Sequence, residues 1–188
     1  MNITTREEML FCRKAMTVKE VEQKSEVINK RLITQFSAAQ MVMGYFPFGN
    51  EVDIRYLLEF FIAKNGFVIL PKVVSKTDLR FFVVHDLDCT HGYCGIFEPC
   101  IESCEEVKDF KRVDLALIPG VCFDEQCNRI GMGMGFYDRF LVKAKIAHKN
   151  IIGVGFDFQV VKNLQVKDTD FRMGSVISEK NSFTIDYF

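Results

Sequence analysis

Between Arg129 and Arg139 the chain reads Arg-Ile-Gly-Met-Gly-Met-Gly-Phe-Tyr-Asp-Arg, with glycines at Gly131, Gly133 and Gly135. Glycine reaches backbone angles closed to other residues and lets amides approach a ligand closely. A helical pattern starts directly after the third glycine. A helix N-terminus offers unpaired N–H groups and a partial positive charge, and with the glycines it makes a cradle for phosphate. Tyr137 and Asp138 put a hydroxyl and a carboxylate beside that cradle, as ATP chemistry with a metal requires. The spacing is neither the dinucleotide fingerprint nor a Walker A loop, which would end in Gly-Lys-Ser/Thr. A tight turn between packed elements explains the glycines alone equally well, so the loop suggests phosphate without naming a cofactor.

Other polar residues are weaker signals. Glu51 and Asp53 follow a strand end and open a helix, where acids are favoured electrostatically; Glu51 sits at the expected cleft mouth. Asp124, Asp138, Asp157 and Asp170 are possible hard-metal ligands, although most aspartates serve as caps or surface groups. His85, His91 and His148 are scattered and pair with no nucleophile pattern. Met132 and Met134 are expected to line or cover the glycine loop. The seven cysteines include no Cys-x-x-Cys pair, and the irregular gaps around Cys89, His91, Cys94, Cys100 and Cys104 argue against zinc.

These residues need a framework. Helical patterning covers residues 5–16. Thr17 and Glu20 then form a capping box for a helix with Val21, Ile28, Leu32 and Phe36 on one side. Strands are expected at Met41–Phe46, Phe67–Leu70, Leu79–Val84, Val113–Ile118 and Ile151–Phe156. A helix over Val52–Lys64 ends with Gly66 at its C-cap. The helix after the glycine loop is expected to bury Phe136, Phe140, Ala144 and Ala147. Apolar strands separated by helices imply an α/β fold, a three-layer α/β/α domain with a largely parallel central sheet. Ligands of such sheets bind at the carboxyl ends of the strands. Phe46-Pro47, Pro71-Lys72, Pro119-Gly120 and Phe156-Asp157 all fall there, so they are expected to converge on one cleft.

With 188 residues the chain fits a single domain, 1–188, and 48% apolar residues with 19 Phe supply a substantial core. The formal charge of −1, from 24 basic and 25 acidic side chains, argues against a nucleic-acid partner. Lys108, Lys111 and Arg112 read as a solvated face. The first ten residues lack the apolar core of a signal peptide, and no apolar run approaches membrane-spanning length. A cytoplasmic protein with no membrane partner is expected.

Asp114-Leu-Ala-Leu-Ile-Pro-Gly-Val-Cys-Phe-Asp124, followed by Arg129–Phe140, resembles the 5-formyltetrahydrofolate cyclo-ligase family, also called methenyltetrahydrofolate synthetases. Thr17 with Ser25, Tyr45-x-Pro47, Glu51-Val-Asp53, Leu70-Pro-Lys72, Gly95-Ile-Phe-Glu-Pro99 and Phe156-Asp-Phe-Gln159 fall in the family's order, so the resemblance spans essentially the whole chain. It implies conversion of 5-formyltetrahydrofolate and ATP to 5,10-methenyltetrahydrofolate, ADP and phosphate, with Mg²⁺. By this resemblance Arg6 and the loop Arg129, Ile130, Gly131, Met132, Gly133, Met134, Gly135, Phe136 and Tyr137 hold ATP. Phe46, Glu51 and Met132–Phe136 border the folate. Asp138 and Asp170 associate with Mg²⁺, and Tyr137 and Arg129 act on the reacting oxygens. A monomer acting on small molecules is expected.

The chain departs from the family pattern in places. Asn2 and Thr5 replace the lysine and leucine of an N-terminal Lys-x-x-Leu-Arg motif, and Phe136 replaces a tyrosine. Leu164-Gln-Val-Lys-Asp-Thr-Asp170 lacks a proline and a histidine. A non-catalytic folate- or nucleotide-binding protein is the alternative reading.

Overall fold

The computed structural model describes residues 6–185 apart from positions 103 and 168, so the Asn2 and Thr5 departures lie outside the described residues. Helix α1 spans Arg6–Ala15 and α2 spans Val18–Phe36. Thr17 starts α2 through the expected box: its side chain accepts from the Glu20 amide at 3.3 Å, and its own amide donates to the Glu20 carboxylate at 2.8 Å. In chain order there follow β1 (Met41–Met43), α3 (Arg55–Ala63), β2 (Phe67–Val73), β3 (Leu79–Val84), β4 (Cys89–His91) and β5 (Phe97–Pro99). Next come β6 (Leu115–Pro119), β7 (Cys122–Asp124), β8 (Arg129–Ile130), α4 (Phe136–Ala144), β9 (Ile151–Val154), β10 (Val160–Val161), β11 (Ser175–Ile177) and β12 (Ser182–Thr184).

A seven-stranded sheet runs β12-β11-β9-β6-β1-β2-β3. Its four inner pairings are parallel, and hairpins add antiparallel β3 and β12 at the edges. Alternation along the strands divides the core in two. Val42, Val68, Leu70, Leu115, Leu117, Ile152 and Val154 face Ile28 and Leu32 of α2 and Leu57, Leu58 and Phe61 of α3. Met43, Ile69, Ala116, Ile118 and Ile151 face the other side, against Leu141 and Ala144 of α4. Both faces are covered, which is why the strands read as continuous apolar runs rather than alternating ones. The expected mixed α/β layering is therefore present.

From β1 the chain crosses to β2 on one side, and β6 pairs on the other. The gap beyond the carboxyl ends of β1 and β6 is thus a topological switch point, the usual ligand position in an open parallel sheet. Two small hairpins overhang that end, β4–β5 and β7–β8, the second extended by β10.

Several local expectations change. Asn65, not Gly66, takes the left-handed position after α3, at φ 58°. The Asn65 amide donates to the Ile62 carbonyl and the Gly66 amide to that of Phe61, both at 2.9 Å, a Schellman closure. Gly66 is still needed for space: a methyl there would stand 3.1 Å from the Phe61 carbonyl oxygen. Helix α3 begins at Arg55, where Asp53 accepts the Arg55 amide at 3.0 Å and pairs with its guanidinium. Asp53 is therefore a capping residue. Strand β2 continues through Pro71, because beyond Ile69 it pairs only with β3 and Pro71 needs no amide for the other side. Ala147 is exposed, since α4 ends at Ala144 and the chain turns away through Lys145 at φ 55°; Leu141 fills the place expected for it.

Candidate active site

The glycine loop is carried by the β7–β8 hairpin, whose turn is fastened by one buried carboxylate. Asp124 accepts from the Gln126 and Asn128 amides, the Asn128 side chain and the Leu164 amide, at 2.8–3.0 Å. With four N–H donors satisfied, Asp124 is a structural group and leaves little for a metal. Asp157 is similarly held by Ser178 and Asn181, with Lys180 beside it. Phe156 lies in the core, so this strand end does not open on the cleft.

Past β8 the backbone turns through Gly133 at φ 103° and Gly135 at φ 64°, the latter serving as N-cap of α4. An arginine faces each of the three glycines. A methyl at Gly131 would stand 2.8 Å from Arg129 Nη1, one at Gly133 3.1 Å from Arg6 Nη1, and one at Gly135 2.8 Å from Arg139 Nη1. The loop thus combines a helix N-terminus with three guanidinium groups, a setting for a polyanion. Gly133→Ala places a β-carbon in a disfavoured region at a cost of about 1–2 kcal/mol. It also displaces Arg6. We expect a raised KM for the phosphate donor and a lowered denaturation midpoint, checked by steady-state kinetics and urea unfolding.

Arg129 is buried at 3% exposure. It donates from Nη1 to the Pro119 carbonyl at 3.1 Å and from Nη2 to Asp138 Oδ1 at 2.8 Å, and its Nε has no partner. An unpaired buried donor of this kind is costly unless a ligand oxygen fills it. Asp138 Oδ1 also accepts from the Phe171 amide at 3.2 Å, and no described residue bonds its second oxygen. The Tyr137 ring lies 5.7 Å from the Arg129 guanidinium. Burial, then the charge of Glu51, push the Tyr137 hydroxyl far above its ordinary pKa, so it stays a proton donor in hydrogen bonds.

A cavity of about 320 Å³ joins this loop to the ends of β1 and β6. Tyr45, Phe46, Phe48 and Glu51 line it, as do Pro71, Pro119, Gly120, Arg129, Gly131 and Met132, and Met134 to Asp138. The β4–β5 hairpin contributes Tyr93, Ile96, Phe97 and Glu98. Glu98 pins that hairpin to the sheet: it accepts from the Val73 amide at 3.1 Å and pairs with Lys72 at 3.5 Å. Glu51 is buried, with Oε2 accepting from the Phe48 amide at 3.0 Å and Oε1 lying 3.4 Å from Arg13. Burial raises its pKa, opposed first by Arg13 and then by the Phe48 amide.

Most sequence-derived site residues therefore meet. Phe46, Glu51, Arg129, Gly131, Met132, Met134, Gly135, Phe136, Tyr137 and Asp138 share the cavity, and Arg6 reaches the loop at Gly133. Ile130 instead packs toward Met9, Val121 and Cys122. Asp170 does not line the cavity; its carboxylate accepts from the Lys167 amide at 2.8 Å. Among the described residues no three His, Cys, Asp or Glu side chains converge as metal ligands. Cys122 and Cys127 are buried thiols, their pKa values pushed up by burial to about 12 and about 11. Among the described residues no helix is long and apolar enough to cross a membrane.

Sequence reading missed Arg13, Tyr45, Glu98 and Arg139 as site residues. Arg13 lies seven residues after Arg6 and so on the same helix face, and Tyr45, Glu98 and Arg139 stand within the quoted motifs, which assign them no contacts. Those contacts are long-range.

A model described as the 5-formyltetrahydrofolate cyclo-ligase family matches residues 2–179. The 5-formyltetrahydrofolate cyclo-ligase of Escherichia coli is 28% identical over 171 residues, 88% of this chain and 93% of its own. That of Haemophilus influenzae is 30% identical over 149 residues, 78% of this chain and 79% of its own. The solved 5,10-methenyltetrahydrofolate synthetase of Aquifex aeolicus superposes with a TM-score of 0.81 at 31% identity, covering 95% of this chain and 90% of that one. A family match over residues 2–179, with relatives alike in sequence and fold over most of the chain, shows that the chain belongs to the 5-formyltetrahydrofolate cyclo-ligase family and is an enzyme of the ligase class.

Proposed function

We propose that this protein converts 5-formyltetrahydrofolate to 5,10-methenyltetrahydrofolate, consuming ATP and releasing ADP and phosphate. The observation that carries the reading is the single cavity shared by a buried acid, apolar walls and a cationic phosphate loop. Glu51 can accept from paired N–H donors of a pterin, with Phe46 and Phe48 beside the ring. Arg6, Arg129 and the α4 N-terminus can hold the phosphates, and Met132 and Met134 border both substrates.

A formamide oxygen is a poor leaving group. Transfer of the γ-phosphoryl group to that oxygen, with ADP leaving, gives an imidate-like carbon whose oxygen carries the phosphate. The folate's N-10 amine attacks this carbon and releases its proton to solvent, the ring closes, and phosphate departs with the former formyl oxygen. Here the protein's work is positioning and charge stabilisation. The orphan Nε of Arg129 is suited to the transferring phosphoryl oxygens, and the protonated Tyr137 hydroxyl to the formyl oxygen.

Mg²⁺, when bound, neutralises phosphate charge. It needs only one or two carboxylates besides phosphate and water. Asp138, with one oxygen held by Arg129 and Phe171 and the other unbonded by described residues, fits that demand. Asp170 is a weaker second ligand, because its turn with Lys167 directs it elsewhere. The reading further includes a cytoplasmic monomer of one domain, 1–188, acting without nucleic acid or membrane.

The test is a near-UV absorbance time course with 5-formyltetrahydrofolate and Mg²⁺, with and without ATP. Methenyl product should accumulate only when ATP and protein are both present. Folate binding without ATP-dependent product would reject turnover and favour a non-catalytic binder.

A further inference from the structure

Helix α1 touches both halves of the cavity. Arg6, at its start, faces Gly133 of the phosphate loop. Arg13, two turns later on the same face, is buried at 4% exposure and reaches Glu51. Its Nη1 lies 3.4 Å from Glu51 Oε1 and 3.4 Å from the Gly120 carbonyl oxygen, at the end of β6. The segment carrying Glu51 grips the helix in return: Asn50 donates through Nδ2 to the Arg13 and Met16 carbonyls, each at 2.9 Å. Each Glu51 oxygen thus has one protein donor, Arg13 on Oε1 and the Phe48 amide on Oε2. A carboxylate has about four acceptor positions, so acceptor capacity remains for a ligand.

We propose that Arg13 is a positioning residue, whose buried guanidinium keeps the Glu51 carboxylate charged and turned to receive a pair of ligand N–H groups. An uncompensated carboxylate at this depth would take up a proton and lose half of that recognition. The groups that face Glu51 are Arg13 from α1, Tyr45 and the Phe48 amide from the segment after β1, Arg129 from β8 and Tyr137 from α4, with Asp53 further along its own segment. Of the two arginines, Arg129 is committed to Asp138 and Pro119, whereas Arg13 touches Glu51 directly. Burial raises the Glu51 pKa, and Arg13 is the largest influence opposing that rise.

The ligand's identity as a reduced folate rests on the function proposed above; the hold of Arg13 on Glu51 does not. Two measurements keep them apart. The first follows the Glu51 carboxyl carbon by NMR in ligand-free protein across pH, in the wild type and in Arg13→Gln. The Glu51 midpoint should move upward by roughly one unit or more, which corresponds to about a tenfold loss of ionised fraction on the acid side. An unchanged midpoint would overturn the proposal. The second compares KM for 5-formyltetrahydrofolate with KM for ATP. Arg13→Gln should raise the folate KM about tenfold, by the same loss of ionised carboxylate, with its pH dependence displaced to higher pH and the ATP KM near the wild-type value. Equal changes in both KM values would mark Arg13 as only structural. Should Arg13→Gln fail to fold, Arg13→Lys decides. It keeps the charge, so Glu51 stays ionised, but it loses the planar fork that turns the carboxylate, so the folate KM should still rise while the ATP KM holds. A wild-type folate KM there would overturn the proposal. Wild-type protein that makes no methenyl product would sink the proposed function, while the NMR midpoint would still decide the role of Arg13.

Discussion

Asp138→Asn should lower kcat by about 10²–10³-fold, the scale for loss of one preorganised charged group at a transition state. The carboxylate has two tasks that an amide cannot combine. Its Oδ1 fixes Arg129 at 2.8 Å and the Phe171 amide at 3.2 Å. Its second oxygen, unbonded by described residues, is the proposed metal contact. Asparagine can keep one acceptor, but it removes the negative charge opposite a buried guanidinium and the anionic oxygen for Mg²⁺. Loss of the charge-assisted bond costs about 1.5–3 kcal/mol. A family fold with this core should survive that, and circular dichroism would show it. Steady-state kinetics at saturating Mg²⁺ then give the test: turnover within a few-fold of wild type, in folded protein, would remove Asp138 from the catalytic machinery.

Glu51→Gln should act on the other substrate. Gln keeps the shape but presents one acceptor and one donor where a pterin edge offers two donors. It also leaves Arg13 facing a neutral group. The folate KM is expected to rise about 10²-fold, equivalent to about 2–3 kcal/mol, with little change in the ATP KM. Equal losses for both substrates would count against the pterin role. The pH dependence has a definite sign. Burial holds the Glu51 pKa above its ordinary value, so its carboxylate fraction begins to fall at a less acid pH than that of an exposed glutamate. Wild-type folate KM should therefore climb as pH drops through that raised value, and Glu51→Gln should abolish this limb. Stability follows the opposite sense. A group with a raised folded-state pKa contributes stability that is complete below the unfolded pKa and lost as pH rises through the folded one. Ionised Glu51 thus opposes folding near neutrality, and the site retains it for recognition.

The elements that sequence patterning located best are those with uninterrupted local signals. The Thr17–Glu20 box and the Leu79–Val84 strand appear where their residues require. Ends were less legible. Asn65 displaced Gly66 as the left-handed residue because asparagine tolerates that conformation and Gly66 was needed for close approach to Phe61 and Gln40. The chain left α4 at Lys145 although the apolar spacing continued to Ala147, since spacing alone does not specify where a helix turns away. Within the site, the glycine loop was legible because Gly133 at φ 103° and Gly135 at φ 64° take conformations that favour glycine. The partners of the loop were not. Arg139 meets Gly135 while its guanidinium donates to the Thr77 carbonyl, 62 residues away, and Glu98 ties its own hairpin to Lys72 and Val73 of β2.

By itself, the sequence determined the layered α/β architecture, the glycine loop before α4 and the family, because periodicity, glycine placement and local motifs are properties of neighbours along the chain. Tertiary structure decided which charges meet. It gave Asp124 to a turn, Asp53 to a cap and Asp157 to a loop, and it left Asp138 beside Arg129. It also brought Arg13 to Glu51 across 38 residues. A carboxylate's chemistry is set by its burial and by the donors that reach it, and those are fixed only when distant strands and helices pack.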